Sequence, residues 1–406
     1  MRSIKQPFAI TKWARQIIPG IITAAIVFGP SKITITSKMG ASYGYDLLWV
    51  VAAAILFMIV YTGMATRIAQ ATDVSLLATI RRKWGSWASI TVGVGIFLVT
   101  TSFQAGNAIG TGIAVAEMTQ TPADWWVLVF TILALSLLFF RAFYHILEKL
   151  MIALVVLMLL AFCATLTVIR PGGEDILGGF VPHIPDGSIG LVIAFTASCF
   201  SLVAAFYQAY LVQEQKKQGL PLSGGSARSA IPGILLLGLL VLIVMLCAGT
   251  ALYSRGVSVS SAMDMASALE PLFGPYAAHL FLAGLFGASF SSLVGNATLG
   301  GTMLADALYN ESGLESPKVR WSIAFIMIAG AAIAIVFGRV PLQAIVIAQS
   351  LTIFIVPVIG AGLLLLANDK AVMSNSANSF IQNALGFAGL AILIILAIVN
   401  ARQLFF

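Results

Sequence analysis

The stretch Gly29-Pro30-Ser31-Lys32 lies inside the first long apolar segment of the chain and interrupts it. Pro30 lacks a backbone N–H and its ring clashes with the preceding helical turn, while Gly29 leaves the backbone free, so this segment is predicted to be a broken helix. Lys32 falls near the middle of the segment. At the centre of a bilayer a charged side chain costs at least about 2.5–3.5 kcal/mol. Unwound backbone at that depth is tolerated only inside protein or beside a wet cavity. The break and the charge together therefore predict a functional site.

The composition around this stretch is that of an integral membrane protein. Of the 406 residues, 60% are hydrophobic and 9% are charged, and the mean hydropathy is +1.01. A soluble domain carries about 25% charged residues. The net charge of +7 comes from Lys and Arg in short loops between apolar segments, which indicates membrane topology and not a nucleic-acid-binding surface. The three cysteines, Cys163, Cys199 and Cys247, lie in apolar segments without metal-site spacing and are interpreted as packing residues.

Segments of about 20 apolar residues predict eleven transmembrane helices in one domain over residues 1–406. No cleavage pattern follows the first apolar run, so we interpret it as a retained span and not as a signal peptide. The predicted spans cover residues 16–37, 45–66, 86–116, 124–143, 147–168, 188–212, 229–253, 276–307, 321–338, 342–366 and 380–401.

The loop charges predict the orientation of the chain in a cell membrane. With a cytoplasmic amino terminus, 16 of the 22 Lys and Arg residues fall on the cytoplasmic side, five on the outer side, and Lys32 inside the membrane. Because cytoplasmic loops are enriched in Lys and Arg, we expect the amino terminus inside and the carboxyl terminus outside.

Polar side chains at mid-membrane depth include no Asp or Glu. Most Ser and Thr residues there are expected to bond their own helix or a neighbouring helix. The amides of Gln104, Asn107, Gln208 and Gln349 are costlier to bury and are candidates for a site or a pathway. His183 and His279 are interpreted as structural residues.

Several segments, taken together, resemble the Nramp family of proton-coupled divalent-metal transporters. The run Ala24–Trp49 (AAIVFGPSKITITSKMGASYGYDLLW) is similar to the first span of the family and the start of the second. Further similarities cover nearly the whole chain and lie at Tyr144–Leu150, Asp175–Gly187, span 6, Ala288–Ala307 and Ala348–Pro357. The resemblance implies an all-α, LeuT-like fold with two inverted five-helix repeats, about 16–168 and 188–366, and an extra helix at 380–401. Spans 1 and 6 would be the broken, substrate-binding helices.

The functional motifs of that family are altered in this chain. The span-1 motif Asp-Pro-Gly-Asn corresponds to Gly29, Pro30, Ser31 and Lys32, so the metal-binding Asp and Asn are replaced. The span-6 motif Met-Pro-His corresponds to Ala205, Phe206 and Tyr207, which removes the thioether and the proline and favours a less broken helix. Acidic residues of the family's proton route correspond to Gln104 and Asn107.

The predicted substrate-binding residues follow from the residue pattern and from the resemblance; they are Gly29, Pro30, Ser31, Lys32, Ala205, Phe206, Tyr207, Gln208 and Gln349. The predicted residues of a proton pathway or of coupling are Lys32, Gln104 and Asn107. A bound metal would be left with the backbone of Gly29 and Ala205 and the side chain of Gln349. No cofactor is expected.

Two substrate classes remain open at this point. Mn²⁺, Fe²⁺ and Mg²⁺ prefer carboxylate, imidazole or thioether ligands, which mid-depth positions lack, and the Lys32 ammonium would repel them. We therefore expect a secondary active transporter, coupled to protons, whose substrate is a small non-metal solute, for example an organic anion, with Lys32 as a built-in cation. The alternative is transport of a divalent or trivalent metal ion, as in the wider family. A channel, a sensor or a membrane enzyme is less favoured, because no catalytic motif is present.

Overall fold

The computed structural model describes residues 28–138, 141–217, 230–337 and 341–405. These residues form helices joined by short loops, with no strand among them. The long helices, in chain order, are α1 (Pro30–Tyr43), α2 (Leu48–Ala71), α3 (Ser86–Thr119), α4 (Ala123–Leu137), α5 (Arg141–Ile169), α6 (Ile189–Cys199), α7 (Leu202–Lys217), α8 (Ile231–Ala251), α9 (Ala277–Tyr309), α10 (Pro317–Val336), α11 (Pro341–Leu351), α12 (Val356–Asn368) and α13 (Phe380–Phe405). Short helices include Leu76–Trp84, Gly173–Gly178, Ala262–Ala266, Glu270–Phe273 and Lys370–Met373.

Eight helical segments of the described residues are long and apolar enough to cross a membrane, and the bent pair 342–354 and 356–368 makes a ninth. The apolar helix α4 has 15 residues. The first half of predicted span 1 lies outside the described residues. The all-helical membrane architecture is therefore confirmed, whereas the count of eleven spans stays a prediction.

The helices pack as two groups. In the first, α7 packs along α2, and α8 packs along both α1 and α2. In the second, α9 packs along α3, α10 and α5. The long helices α3 and α9 have 34 and 33 residues. Close contact between them is possible because small residues line their interface, as is usual where membrane helices approach each other. The central cavity lies where the two groups meet.

Helix α1 begins at Pro30, directly after the extended residue Gly29, whose ψ is −178°. Proline is favoured at the first helical position because it has no N–H that the helix would need to pair. The predicted start of a helix at the Gly-Pro step is therefore present in the structure. The half that would precede it lies outside the described residues.

Span 6 is interrupted even though its proline is lost. Helix α6 ends at Cys199 and α7 begins at Leu202, with Ser201 at a φ of +35° between them. The two halves still pass as one apolar span of 29 residues. At the interruption, the carbonyl oxygen of Ser198 accepts a hydrogen bond from outside the helix, from the ammonium of Lys32. A less broken helix was expected from the sequence; the break instead lies upstream of Ala205, Phe206 and Tyr207.

Candidate functional site

The ammonium of Lys32 lies at the carboxyl end of α6. Its Nζ atom donates a hydrogen bond to the carbonyl oxygen of Ser198 at 3.1 Å. The same atom lies 5.8 Å from the centre of the Phe103 ring, within the range of a cation–π contact. Only 4% of Lys32 is exposed. The last carbonyls of a helix carry its negative partial charge, so this is a place that favours a cation, and Lys32 fills it.

A second link joins α1 to α11. The amide nitrogen Nε2 of Gln349 donates to the hydroxyl of Ser31 at 3.1 Å. Its amide oxygen Oε1 is buried and has no hydrogen-bond partner among the described residues. An unpaired buried acceptor costs about 1–3 kcal/mol, so Gln349 holds an acceptor available to a ligand.

A small cavity separates these two links. Its volume is about 40 Å³, which is enough for two or three waters or a ligand of a few heavy atoms. Its lining includes polar and apolar residues, namely Gly29, Ser31, Lys32, Phe103, Asn107, Ser201, Val203, Ala204, Asn296, Leu299 and Gln349.

The backbone of α1 approaches α3 closely around this cavity. A Cβ atom placed on Gly110 would lie 2.6 Å from Cβ of Pro30 and 2.5 Å from the hydroxyl of Ser289. A Cβ on Gly106 would lie 2.7 Å from the hydroxyl of Ser31. Since real Cβ atoms do not come so near, glycine at these two positions lets α3 support the helix start at Pro30.

The predicted coupling residue Gln104 lies in a network of neutral amides. Its Nε2 atom donates to the carbonyl oxygen of Leu293 at 2.9 Å. Asn296 donates to the Thr100 carbonyl oxygen at 2.7 Å and to Gln104 Oε1 at 3.2 Å. These bonds tie α3 to α9. Asn107 lies three residues further along α3 and lines the cavity beside Gly29.

The structure brings together one part of the predicted site. Gly29, Ser31, Lys32, Gln349 and the predicted coupling residue Asn107 line the central cavity. Pro30 is buried against Gly110.

The predicted span-6 residues lie elsewhere. Ala205, Phe206 and Gln208 are buried outside the cavity lining, and Tyr207 faces a different cavity. Their place is taken by Ser201, Val203 and Ala204, because the helix break lies a turn earlier than the family motif implies.

Three further lining residues were not predicted as site residues, namely Phe103, Asn296 and Leu299. Asn296 carried a signal, since an amide at mid-membrane depth is rare. Phe103 and Leu299 carried none, because an aromatic or aliphatic residue in an apolar span is ordinary.

Larger cavities lie towards the two ends of the helix bundle. The end at which α9 terminates, here named the Asp306 end, holds a cavity of about 630 Å³. Tyr207, Tyr210 and Thr302 are among its lining residues, and Leu299 lines both this cavity and the central one. The opposite end, named the Lys38 end, holds a cavity of about 390 Å³ lined by residues that include Lys38, Gln343 and Val346.

The described residues contain no group of three or more His, Cys, Asp or Glu side chains that could hold a metal ion. Among the described residues that line the central cavity, Lys32 is the single charged one. The site therefore offers hydroxyl, amide and carbonyl groups together with one ammonium.

Comparison with known proteins places this geometry in a family. The family description "Natural resistance-associated macrophage protein-like" (Nramp) matches residues 20–401. The chain is 26% identical over 370 residues to the divalent metal cation transporter MntH of Deinococcus radiodurans, covering 87% of this chain and 82% of that relative. It is 22% identical over 399 residues to MntH of Mycobacterium tuberculosis, covering 95% and 90%.

Solved structures show the same fold. A mutant of the Eremococcus coleocola manganese transporter superposes with a TM-score of 0.76 at 15% identity, covering 99% of this chain and 89% of that one. The nucleobase-cation-symport-1 family transporter Mhp1 gives a TM-score of 0.62 at 12% identity, covering 96% and 93%. MhsT, solved with L-phenylalanine, gives 0.58 at 14% identity, covering 94% and 97%. These likenesses confirm the predicted LeuT-like fold, and with the family match over residues 20–401 they lead to one conclusion: the chain belongs to the Nramp family of membrane transporters.

Proposed function

We propose that this chain is an alternating-access secondary transporter whose cargo binds in the central cavity, beside Lys32 and the carboxyl end of α6. The observation that carries the proposal is the 3.1 Å bond from Lys32 to the Ser198 carbonyl oxygen, beside a cavity bounded by the start of α1 and by the break between α6 and α7. Broken helices at the junction of two helix groups are the usual substrate site of this type of transporter. Cavities towards both ends of the bundle are the proposed routes of entry and exit. In the predicted orientation, the Asp306 end faces the cytoplasm.

A metal cation is the first candidate cargo. The relatives named above are divalent metal cation transporters, which favours this alternative over the non-metal solute. The Ser198 carbonyl, the Gln349 amide oxygen and the cavity hydroxyls would be its oxygen ligands.

Electrostatics limits how a metal could bind. A divalent ion about 4 Å from the Lys32 ammonium is repelled by roughly 8 kcal/mol at an effective dielectric constant of 20. The metal must therefore replace the ammonium at the Ser198 carbonyl, with Lys32 neutral or withdrawn. If Lys32 becomes neutral, each metal ion bound releases one proton, which would couple the two fluxes.

A small non-metal solute is the second candidate cargo. It is favoured by a specific observation, namely that Lys32 already occupies the cation position and that none of the described residues lining the central cavity carries a carboxylate. An ammonium has three N–H donors, so Lys32 has donors beyond the one used for Ser198 that could bind an acceptor group or an anion of the solute. In this case Lys32 stays charged through the transport cycle.

The deciding experiment is uptake into proteoliposomes with an imposed pH gradient. Saturable uptake of Mn²⁺ or Mg²⁺ by the wild type supports the first candidate, and saturable uptake of a small carboxylate or amino acid supports the second. Lys32→Met is expected to alter either activity by at least about tenfold, because it removes the single charge of the cavity lining. Lys370→Met is the matched control, as Lys370 is exposed on a short helix at the Asp306 end. Equal uptake by the wild type and Lys32→Met would refute the role given to Lys32.

A further inference from the structure

A buried carboxylate lies at the Asp306 end of the bundle. Among the residues whose burial the structure describes, Asp306 is the single buried acid, with 3% of its surface exposed. It lies near the end of α9. Burial of an acid at this position is costly unless hydrogen bonds or a counter-charge compensate, so its partners are informative.

The main partner of Asp306 comes from the other helix group. Tyr210 of α7 donates its hydroxyl proton to Asp306 Oδ2 in a short hydrogen bond. Ser75, which precedes the short helix Leu76–Trp84, lines the same cavity as Tyr210. Arg81 of that helix donates to the main-chain carbonyl oxygens of Asp306 and Ala307.

These contacts cross between the two groups of helices. Helix α7 packs along α2, and α9 packs along α3, α5 and α10. The Tyr210–Asp306 bond therefore sets how near α7 and α9 come at this end. The cavity of about 630 Å³ lies between α7 and α9. Leu299 lines both this cavity and the central cavity and so lies between them.

We propose that Tyr210 and Asp306 form a latch that holds α7 against α9 and limits access to the central cavity from the Asp306 end. Arg81 fixes the last turn of α9, so the carboxylate is presented to Tyr210 from a rigid position. Opening this end requires the bond between Tyr210 and Asp306 to break, and the loss of that charge-assisted hydrogen bond disfavours the open state. The latch rests on the proposed alternating-access function but not on the identity of the cargo.

The test measures access directly and needs no known cargo. A single cysteine replaces Leu299 in a background in which Cys163, Cys199 and Cys247 are changed to Ala. The rate of its modification by a water-soluble thiol reagent from the Asp306 end is compared between the latch-intact protein and Tyr210→Phe or Asp306→Asn. We expect at least about fivefold faster modification in both variants, and a similar rate in the double variant because the two residues act as one bond. Tyr309→Phe is the matched control, since Tyr309 is exposed at the end of the same helix as Asp306, and it is expected to leave the rate unchanged.

A second cysteine separates a latch from general loosening. Val346→Cys lines the cavity at the Lys38 end, and its modification is expected to slow when the Asp306 end opens, because the two ends open in alternation. Unchanged modification of Leu299→Cys in the Tyr210 and Asp306 variants overturns the proposal. Faster modification at both ends also overturns it, since that result shows loss of packing and not a shift between two states. If the latch behaves as expected but no uptake is found, the proposed transport function fails and the latch stands.

Discussion

The Lys32 ammonium donates a hydrogen bond to the carbonyl oxygen of Ser198 at 3.1 Å, so a positive side chain of α1 neutralises the negative end of α6. The resemblance to Nramp proteins implies that position 32 is where relatives carry a metal-binding Asn. In this chain the same place holds a cation that is covalently attached.

Gln349→Ala removes the bond to Ser31 and the unpaired acceptor that faces the cavity. We expect the KM for the cargo to rise about 5- to 20-fold, which corresponds to about 1–2 kcal/mol for a lost hydrogen bond. The measurement is initial uptake rate against cargo concentration. Gln403→Ala, at an exposed position of α13, serves as the control and should not change the KM. Equal KM values in both variants would remove Gln349 from the site.

Gly29→Asp with Lys32→Asn rebuilds the two metal-binding residue types of the family motif. The backbone at Gly29 is extended and suits any residue, although a Cβ there would lie 3.1 Å from the Ser292 hydroxyl and 3.2 Å from Asn107 Oδ1, so these side chains must shift slightly. We expect the double variant to bind Mn²⁺ at least about tenfold more tightly than the wild type, because it gains a carboxylate at position 29 and loses the ammonium at position 32. Isothermal titration with Mn²⁺ measures this. Weaker binding than in the wild type would show that the site does not correspond to the metal site of the relatives.

Gly110→Ala should push α3 away from the start of α1. The new methyl group would meet Pro30 and Ser289 at 2.5–2.6 Å, and such overpacking costs about 1–3 kcal/mol. We expect a lower thermal midpoint and reduced uptake. Gly63→Ala is the matched control, because a Cβ on Gly63 of α2 meets no atom within 4 Å, and alanine favours a helix over glycine. A midpoint for Gly110→Ala at or above that of Gly63→Ala would contradict the close approach.

The sequence predicted the architecture well because helix length and apolarity are local properties. Spans such as 276–307 and 380–401 were placed within a few residues of α9 and α13. The helix start at Pro30 was also predictable, since the Gly-Pro step acts on its own backbone.

The lining of the site was less predictable on span 6. At the break there, the carbonyl oxygen of Ser198 accepts a bond from Lys32, 166 residues away, and no local pattern reports such a bond. Phe103 joins the site through the same ammonium.

The most direct test of the central claim is Mn²⁺ affinity as a function of pH in the wild type and in Lys32→Met. If a metal ion and the Lys32 ammonium compete for the Ser198 carbonyl, each ion bound releases one proton. The wild-type affinity for Mn²⁺ should therefore increase by up to about tenfold for each unit by which the pH is raised. Lys32→Met should bind more tightly than the wild type, with little dependence on pH. The same affinity and the same pH dependence in both proteins would contradict the account, since Lys32 would then not occupy the cation position.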